Sequence, residues 1–158
     1  GMWGADDPDD RMPMVWPGLA YDDAEHDPLQ WPRKRETVAF DRELFRFYQD
    51  AVRLRRQTTA LRRGGFQMVA TDDASQTLAF VRESDSDWAL VAINRHQQPQ
   101  QIILQRDQLP QMNQEALQCV LRSEPNSRHN IVALTPMHVQ LDLPPLTGVV
   151  CVASKPNR

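Results

Sequence analysis

The residues with the most evident chemical potential lie in the opening stretch, GMWGADDPDDRMPMVW, where four aspartates surround a proline. A calcium loop of the EF-hand type needs oxygen ligands at alternate positions, a glycine at the sixth position and a glutamate at the twelfth. Counted from Asp7, the fifth position is Arg11 and the sixth is Met12, so this stretch does not match. A carboxylate cluster of another kind stays open as an alternative. We predict no metal site and no cofactor.

Histidine and cysteine spacing indicates no catalytic centre. Nucleotide-binding loops, nucleophile elbows and paired CxxC motifs are absent from the sequence. The two cysteines, Cys119 and Cys151, lie in apolar, strand-like runs, which favours buried reduced thiols, with a single disulfide between them as the alternative. The four histidines are predicted in loops or at a strand start, without spacing that suggests a joint site: His26, His96, His129 and His138.

Charge is strongly segregated along the 158 residues, although the formal net charge is only −3. Residues 1–27 contain eight acidic residues and one basic residue, whereas residues 28–65 contain ten basic and four acidic residues. We therefore expect the acidic segment to lie near the arginine-rich segment, in this chain or in a neighbouring copy. Because the basic residues follow a helix in an acidic protein, we predict no nucleic-acid partner.

The bulk composition is that of a soluble globular protein, with 41% hydrophobic and 25% charged residues. An apolar run of about 20 residues, which a membrane-spanning helix needs, is absent from the sequence, so we predict no membrane partner. The first residues lack the basic and apolar pattern of a secretory signal, and we expect a cytoplasmic protein.

Proline, aspartate and tryptophan dominate residues 1–39, with prolines at positions 8, 13, 17, 28 and 32. Proline lacks an amide donor and biases the preceding residue away from helix, which predicts irregular, extended structure. The three tryptophans of residues 1–39 argue against disorder, because disordered segments are poor in large aromatic residues.

A helix is predicted over about residues 41–57, with Asp41 as its N-terminal cap. Its apolar residues recur at helical spacing and form one stripe, which must pack against another surface. A short turn is predicted over residues 60–63, ended by Gly64 and Gly65. The stripe consists of Phe40, Leu44, Phe47, Tyr48, Ala51 and Leu54.

From Phe66 onward the apolar period is two, and turn-rich stretches separate short runs. This pattern predicts a mainly β fold, an antiparallel β-sandwich or an open barrel. The predicted strands are Phe66–Ala70, Thr77–Arg82, Trp88–Asn94, Gln100–Gln105, Leu117–Arg122, Ile131–Leu134, His138–Leu143 and Val149–Ala153.

Several motifs in order along the chain resemble the C-terminal third of the α-amylase superfamily of glycoside hydrolases (glycoside hydrolase family thirteen), with the closest similarity to its neopullulanase and cyclomaltodextrinase branch. They are GMWGADDPDDRMPMVW, VAFDRELFRFYQDAVRLRRQTTALRRG, LAFVR, WALVAINR and LPPLTGVV. The first motif is the most specific, because Met-Trp-Gly, Asp-Pro-Asp-x-Arg and Pro-Met-x-Trp are rarely combined.

This resemblance implies a layout. Residues 1–65 would be a remnant of the C-terminal end of a catalytic (β/α)₈ barrel, with a loop segment at 1–39 and the last barrel helix at about 41–57. Residues 66–158 would be the C-terminal β-domain, a Greek-key sandwich. The family's three catalytic carboxylates lie on earlier barrel strands that this chain does not contain, so the resemblance implies no catalytic residue here and no hydrolysis by this chain alone.

The resemblance also implies a remaining part of a sugar site. The Asp and Arg of the family's Asp-Pro-x-x-Arg motif, which help line donor-side glucose subsites, correspond to Asp7 and Arg11. A mutual salt bridge that anchors the loop is the structural alternative for this pair. Trp3 and Trp16 could stack on sugar rings, with packing into an apolar surface as the alternative.

Three functions follow as hypotheses. The first is a C-terminal fragment of an enzyme of α-glucan or maltodextrin metabolism that supplies structural support or sugar contacts. The second is a stand-alone carbohydrate-binding module, with Trp88 as a platform unless it is buried in the core. The third is an oligomerisation domain, in which residues 1–65 pack on the β-domain or on a second copy because the helix stripe would otherwise be exposed.

Overall fold

Ten strands and two helices make up the described part of the chain. The computed structural model describes residues 7, 12–111, 117–123 and 132–155. Two units are distinguished, Gly1–Gln49 and Asp50–Arg158. Besides a short 3₁₀ turn at Arg106–Gln108, the elements are β1 (Ala24–His26), β2 (Pro32–Glu36), α1 (Arg42–Gln57), α2 (Thr59–Arg63), β3 (Gly65–Asp72), β4 (Thr77–Glu83), β5 (Asp87–Asn94), β6 (Gln100–Gln105), β7 (Gln118–Arg122), β8 (Val132–Leu134), β9 (His138–Leu143) and β10 (Gly148–Ser154).

The second unit contains two antiparallel sheets, which confirms the predicted β fold. Five strands pair in the order β3-β4-β5-β10-β7, and three pair in the order β6-β9-β8. The chain passes back and forth between the sheets, so β10 lies between β5 and β7, far from both in sequence. Each of the eight predicted strands is present, with ends that differ by at most two residues among the described positions.

Alternate residues from both sheets form one apolar core. Trp88 and Leu90 of β5 are fully buried there, together with Leu104 of β6 and Leu141 of β9. The side chains that face inward along each strand are thus the same ones that the period of two predicts. Trp88 is 0% exposed, so it cannot be a sugar-binding platform.

The opposite face of the five-stranded sheet is also apolar. Strand register places Phe80 beside Val91, and Val91 beside Val150. Leu78 and Ile93 form the next pair on the same face. These five side chains are half-buried, not buried. Strands that are apolar on both faces are typical of sheets covered on both sides, so this outer face needs a cover that the described β-domain supplies only in part.

Helix α2 supplies that partial cover, and a carboxylate from a distant strand holds its first turn. Asp87 of β5 accepts hydrogen bonds from the amides of Thr59 and Ala60, at 2.9 and 2.7 Å. The local cap residue, Thr58, makes no side-chain capping bond. Ala60 and Ala89, both 0% exposed, mark the buried contact region where α2 meets β5.

Gly64 ends α2 at a point where its backbone lies very close to the backbones of Ala60 and Glu83. Its φ is −66°, so the left-handed conformation common at helix ends is not used. A Cβ at this position would lie 2.5 Å from the carbonyl oxygen of Ala60 and 2.7 Å from that of Glu83. Glycine is therefore required because two backbones meet here.

Within residues 1–39 the structure differs from the prediction of irregular structure. β1 and β2 pair as a two-stranded antiparallel sheet. Asp27 organises the turn between them, because its Oδ1 accepts hydrogen bonds from the amides of Leu29 and Trp31 at 2.9 and 2.8 Å. Gln30 takes a positive φ of 69° in the same turn. Aspartate bonding its own following backbone is a turn signal that the proline content obscured.

Helix α1 begins where predicted, with the carboxylate of Asp41 accepting a hydrogen bond from the amide of Leu44 at 2.9 Å. None of its residues is buried. On its apolar stripe, Leu44 is 42% and Tyr48 is 62% exposed. Val52, which the prediction did not include in the stripe, is 57% exposed one turn after Tyr48.

Cys119 and Cys151 form a disulfide, so the expectation of reduced thiols is wrong. The two residues are direct register partners on the neighbouring strands β7 and β10. The sequence showed two apolar runs but could not show that they pair. Pairing in this register is what brings the sulfurs within bonding distance.

We predict that reduction of the disulfide destabilises the chain. The bond closes a loop with a sequence separation of 32 residues, for which loop-closure entropy corresponds to about 3–4 kcal/mol. Urea unfolding with and without a thiol reductant measures this difference. A Cys119→Ala/Cys151→Ala double variant is the control, because its midpoint should not respond to reductant. An unchanged midpoint for the parent chain would contradict the prediction.

We further predict that Asp87→Ala destabilises the β-domain by about 1–2 kcal/mol, because two partly buried helix amides lose their acceptor. The stability of Asp87→Asn should lie between that of the parent chain and that of Asp87→Ala, because the side-chain amide oxygen of asparagine still accepts a hydrogen bond. Asp85→Ala, at an exposed position of the same turn, is the matched control and should change stability by less than about 0.5 kcal/mol. Equal stability of Asp87→Ala and Asp85→Ala would refute the capping role.

Candidate functional site

The residues that the sequence assigned to a sugar site lie only in part within the described structure. Asp7 is described and exposed, and Trp16 is 50% exposed. Trp3 and Arg11 lie outside the described residues, so the Asp7–Arg11 pair stays a prediction.

The loop that carries Trp16 is anchored by a buried neighbouring side chain and by one hydrogen bond of its backbone. Val15, its neighbour, is 3% exposed, and the Trp16 amide donates a hydrogen bond of 2.7 Å to the hydroxyl of Tyr21. Gly18 follows in a turn with a φ of 82°, a conformation that glycine adopts without steric cost. The backbone is thus anchored while half of the indole surface stays accessible, an arrangement suited to stacking on an apolar ring face.

A second tryptophan, which the sequence did not mark as a site residue, lies in the β1–β2 turn. Trp31 is 70% exposed, and its amide is bound to the Asp27 carboxylate. The only sequence signal for it was the Asp-Pro-Leu-Gln-Trp turn itself. Two exposed indoles, Trp16 and Trp31, therefore belong to the first unit.

Ion pairs in the first unit join the acidic and basic segments. Arg35 lies 2.8 Å from a carboxylate oxygen of Asp23 and 3.6 Å from one of Glu25. These pairs confirm, for these residues, the expectation that acidic residues before position 28 lie near basic residues after it. Exposed pairs of this kind add little stability.

Histidines do not converge among the described residues. His26 lies in β1, His138 begins β9, and His96 lies in the loop after β5, where its Nδ1 accepts a hydrogen bond from the amide of Gln98 at 3.0 Å. His129 lies outside the described residues. In the described part of the chain, no group of three acidic, histidine or cysteine side chains is arranged to hold a metal ion.

Asp72, the last residue of β3, accepts hydrogen bonds from the turn that follows it. A hydrogen bond from the Ser75 side chain, with further bonds from the amides of Ala74 and Ser75, lowers the pKa of the Asp72 carboxyl below its ordinary value. These donors stabilise the ionised form. The hydrogen bonds of this turn therefore stabilise the fold less as the pH falls through the lowered pKa of Asp72.

Neither α1 nor α2, the two helices that the structure describes, has the length and the apolar composition of a membrane-spanning helix.

No family model matches the sequence. Among curated proteins, a cyclomaltodextrinase of a Bacillus species is 36% identical over 77 residues, which are 46% of this chain and 13% of that protein. Neopullulanase 2 of Thermoactinomyces vulgaris is 29% identical over 136 residues, which are 85% of this chain and 20% of that protein. The chain thus spans about a fifth or less of the length of these relatives.

Solved structures agree on the fold. An α-amylase of Anoxybacillus superposes with a TM-score of 0.66 at 21% identity, over 98% of this chain and 27% of that chain. A debranching enzyme of Nostoc punctiforme gives a TM-score of 0.57 at 17% identity, over 69% of this chain and 21% of that chain. At these identities the likeness concerns the fold alone. Together with the curated relatives, it confirms the resemblance that the sequence motifs indicated.

We predict that Tyr21→Phe loosens the Trp16 loop, because the Trp16 amide loses its acceptor. Loss of one hydrogen bond worth about 1 kcal/mol corresponds to roughly fivefold faster hydrogen exchange at that amide. Tyr48→Phe, which changes the exposed tyrosine of α1, is the control and should leave the Trp16 exchange rate unchanged. An unchanged rate in Tyr21→Phe would show that the hydroxyl does not hold the loop.

Proposed function

We propose that this α-amylase-family, neopullulanase-like chain is the C-terminal portion of a glycoside hydrolase that acts on α-glucans. In this proposal residues 1–65 complete a catalytic barrel and residues 66–158 form its supporting β-domain. The catalytic carboxylates belong to the barrel strands outside this chain, so the chain by itself hydrolyses nothing. Relatives named cyclomaltodextrinase and neopullulanase, of which the chain spans 13–20%, support this reading.

The observation that carries the proposal is the unburied apolar stripe of α1. Leu44 and Tyr48 of the stripe, and Val52 one turn further along, are each more than 40% exposed. The other stripe residues of the helix are half-buried: Phe47, Ala51 and Leu54. Soluble proteins rarely leave such a stripe in water. A helix whose inner face belongs against a barrel sheet explains why the sequence retains it.

The outer face of the five-stranded sheet supports the same conclusion. Phe80, Val91 and Val150 are neighbours in register and only half-buried. On the edge strand β3, Phe66 is 61% and Met68 is 46% exposed. A β-domain that belongs to a longer protein can leave one sheet face for that protein to cover.

Sugar contacts form the second part of the proposal. Asp7 and Arg11 would accept and donate hydrogen bonds to glucose hydroxyls, since a carboxylate accepts and a guanidinium donates in a fork. Trp16, anchored by Tyr21 and half exposed, would stack on a sugar ring, as would Trp3. These contacts recognise an α-glucan without acting on it.

A stand-alone carbohydrate-binding or oligomerisation domain is the alternative function. The same α1 stripe favours it, because a second copy of the chain could cover the stripe. In this alternative a homo-oligomer would form through residues 1–65, with the exposed side chains of α1 at the contact. Both functions predict that the stripe is an interface, and they differ in what covers it.

Self-association of the full chain tests the interface. The chain expressed alone should associate through α1, and the double substitution Tyr48→Glu/Val52→Glu should weaken this association by about tenfold or more, because charge replaces buried apolar area. Analytical ultracentrifugation measures the change. Gln49→Glu/Gln57→Glu adds the same charge at polar positions of the same helix and should leave association unchanged. A parent chain that is monomeric at all concentrations would contradict the proposal.

Hydrolysis is measured separately by incubating the same chain with maltodextrin and assaying reducing ends. We expect no release above the rate without protein. If reducing ends are still released after repeated purification of the chain, this chain carries catalytic carboxylates of its own. That result would overturn the proposal that the catalytic carboxylates lie outside this chain.

A further inference from the structure

Strand β7 (Gln118–Arg122) lies at one edge of the five-stranded sheet, where its neighbour is β10. None of its five residues is buried, and Val120 is 45% exposed. In β10, by contrast, Val149, Cys151 and Ala153 are buried. Because burial of apolar surface is the dominant favourable term in folding, packing holds β7 less firmly than it holds β10.

The pairing of β7 with β10 is interrupted in its middle. Cys119 and Leu121 of β7 face two consecutive residues of β10. The register therefore passes over Val120, which lies between them. A bulge of this kind leaves the extra residue unpaired and disrupts the ladder of hydrogen bonds around it. Only short runs of regular pairing, on either side of the bulge, join β7 to the sheet.

The disulfide crosses from β7 to β10 directly beside this bulge, because Cys119 is the residue before Val120. Attachments also flank the strand. Leu117, just before β7, is 6% exposed and belongs to the core. After β7, the Ser123 amide donates a hydrogen bond of 2.9 Å to the Gly148 carbonyl. The disulfide thus adds a covalent attachment at the point where the strand pairing is interrupted.

The two cysteines differ in accessibility, which sets the direction of reduction. Cys119 is half-buried on an edge strand, whereas Cys151 is 0% exposed. A thiolate of a dithiol reductant would attack the Sγ of Cys119 and form a mixed disulfide, while the bond to Cys151 breaks and Cys151 leaves as a thiolate that takes up a proton. The second thiol of the reductant then displaces Cys119. Two electrons pass to the protein, both cysteines become thiols, and the dithiol becomes a disulfide.

We infer that this disulfide is a redox-sensitive latch for β7. In the oxidised chain β7 closes the edge of β10. After reduction by a dithiol, β7 detaches locally while the rest of the β-domain stays folded, because the core residues Trp88, Leu90 and Leu141 belong to strands that do not pair with β7. Detachment leaves the edge of β10 open, and an open strand edge is a template for pairing with another strand. The inference does not depend on the proposed function.

Amide hydrogen exchange of the full chain, with and without dithiothreitol, tests the latch. Reduction should accelerate exchange at the amides of β7 at least about tenfold more than at those of β5, because a local opening exposes β7 without unfolding the core. Strand β3, the other edge of the same sheet, carries no cysteine and is the internal control. Its exchange should respond to the reductant no more than that of β5 does.

The double variant Cys119→Ala/Cys151→Ala is the second control, and its β7 amides should exchange fast with or without dithiothreitol. Reoxidation of the reduced parent chain with oxidised glutathione should restore slow exchange, and failure to do so would overturn a reversible latch. Equal acceleration in β5 and β7 would show that the bond acts on the whole fold and would overturn the inference, as would unchanged exchange in β7. Loss of the near-ultraviolet circular dichroism signal on reduction would also contradict a local opening.

Discussion

The five-stranded sheet is apolar on both faces, and most of the structure follows from covering them. Its inner face, with Trp88, Leu90 and Cys151 fully buried, is covered by the three-stranded sheet. Its outer face carries Phe80, Val91 and Val150 in register, only half-buried. Removal of apolar surface from water is the dominant favourable term in folding, so a sheet of this kind needs two partners. The β-domain provides one of them in full.

Polar groups fix how the elements meet around this sheet. Asp87 binds two amides of α2, and Arg82 binds the two carbonyls at its end. At the end of β5 opposite to Asp87, the buried Asn94 side chain donates hydrogen bonds to the carbonyl oxygens of Leu143 and Pro144, at 3.2 and 2.8 Å. Each is a bond between residues distant in sequence. Because a buried polar group without a partner is costly, such bonds select one arrangement among the many that bury similar apolar area.

The proposed role, a supporting domain within a longer protein, agrees with a sheet that the described β-domain covers fully on only one face. A β-domain with a closed core and an open second face suits a supporting part of a larger assembly, and α1 presents a stripe of the same kind. The similarity to neopullulanase-like proteins covers most of this chain but a small share of those relatives. The proposed sugar contact of Trp16 would use an indole that the first unit leaves half exposed.

Local pattern determined the element types and most of their bounds. The period of two from Phe66 onward predicted every strand of the two sheets, and Asp41 followed by an apolar stripe predicted α1, since side-chain period and capping are properties of neighbouring residues. Motifs read in order also determined the family resemblance.

Only the tertiary structure decided that Cys119 and Cys151 are bonded, that Asp87 caps a helix 28 residues before it in sequence, and that residues 24–36 form a hairpin. Each of these depends on which strands pair and in what register, and that choice is made by the free energy of the whole fold, which no short stretch of sequence contains.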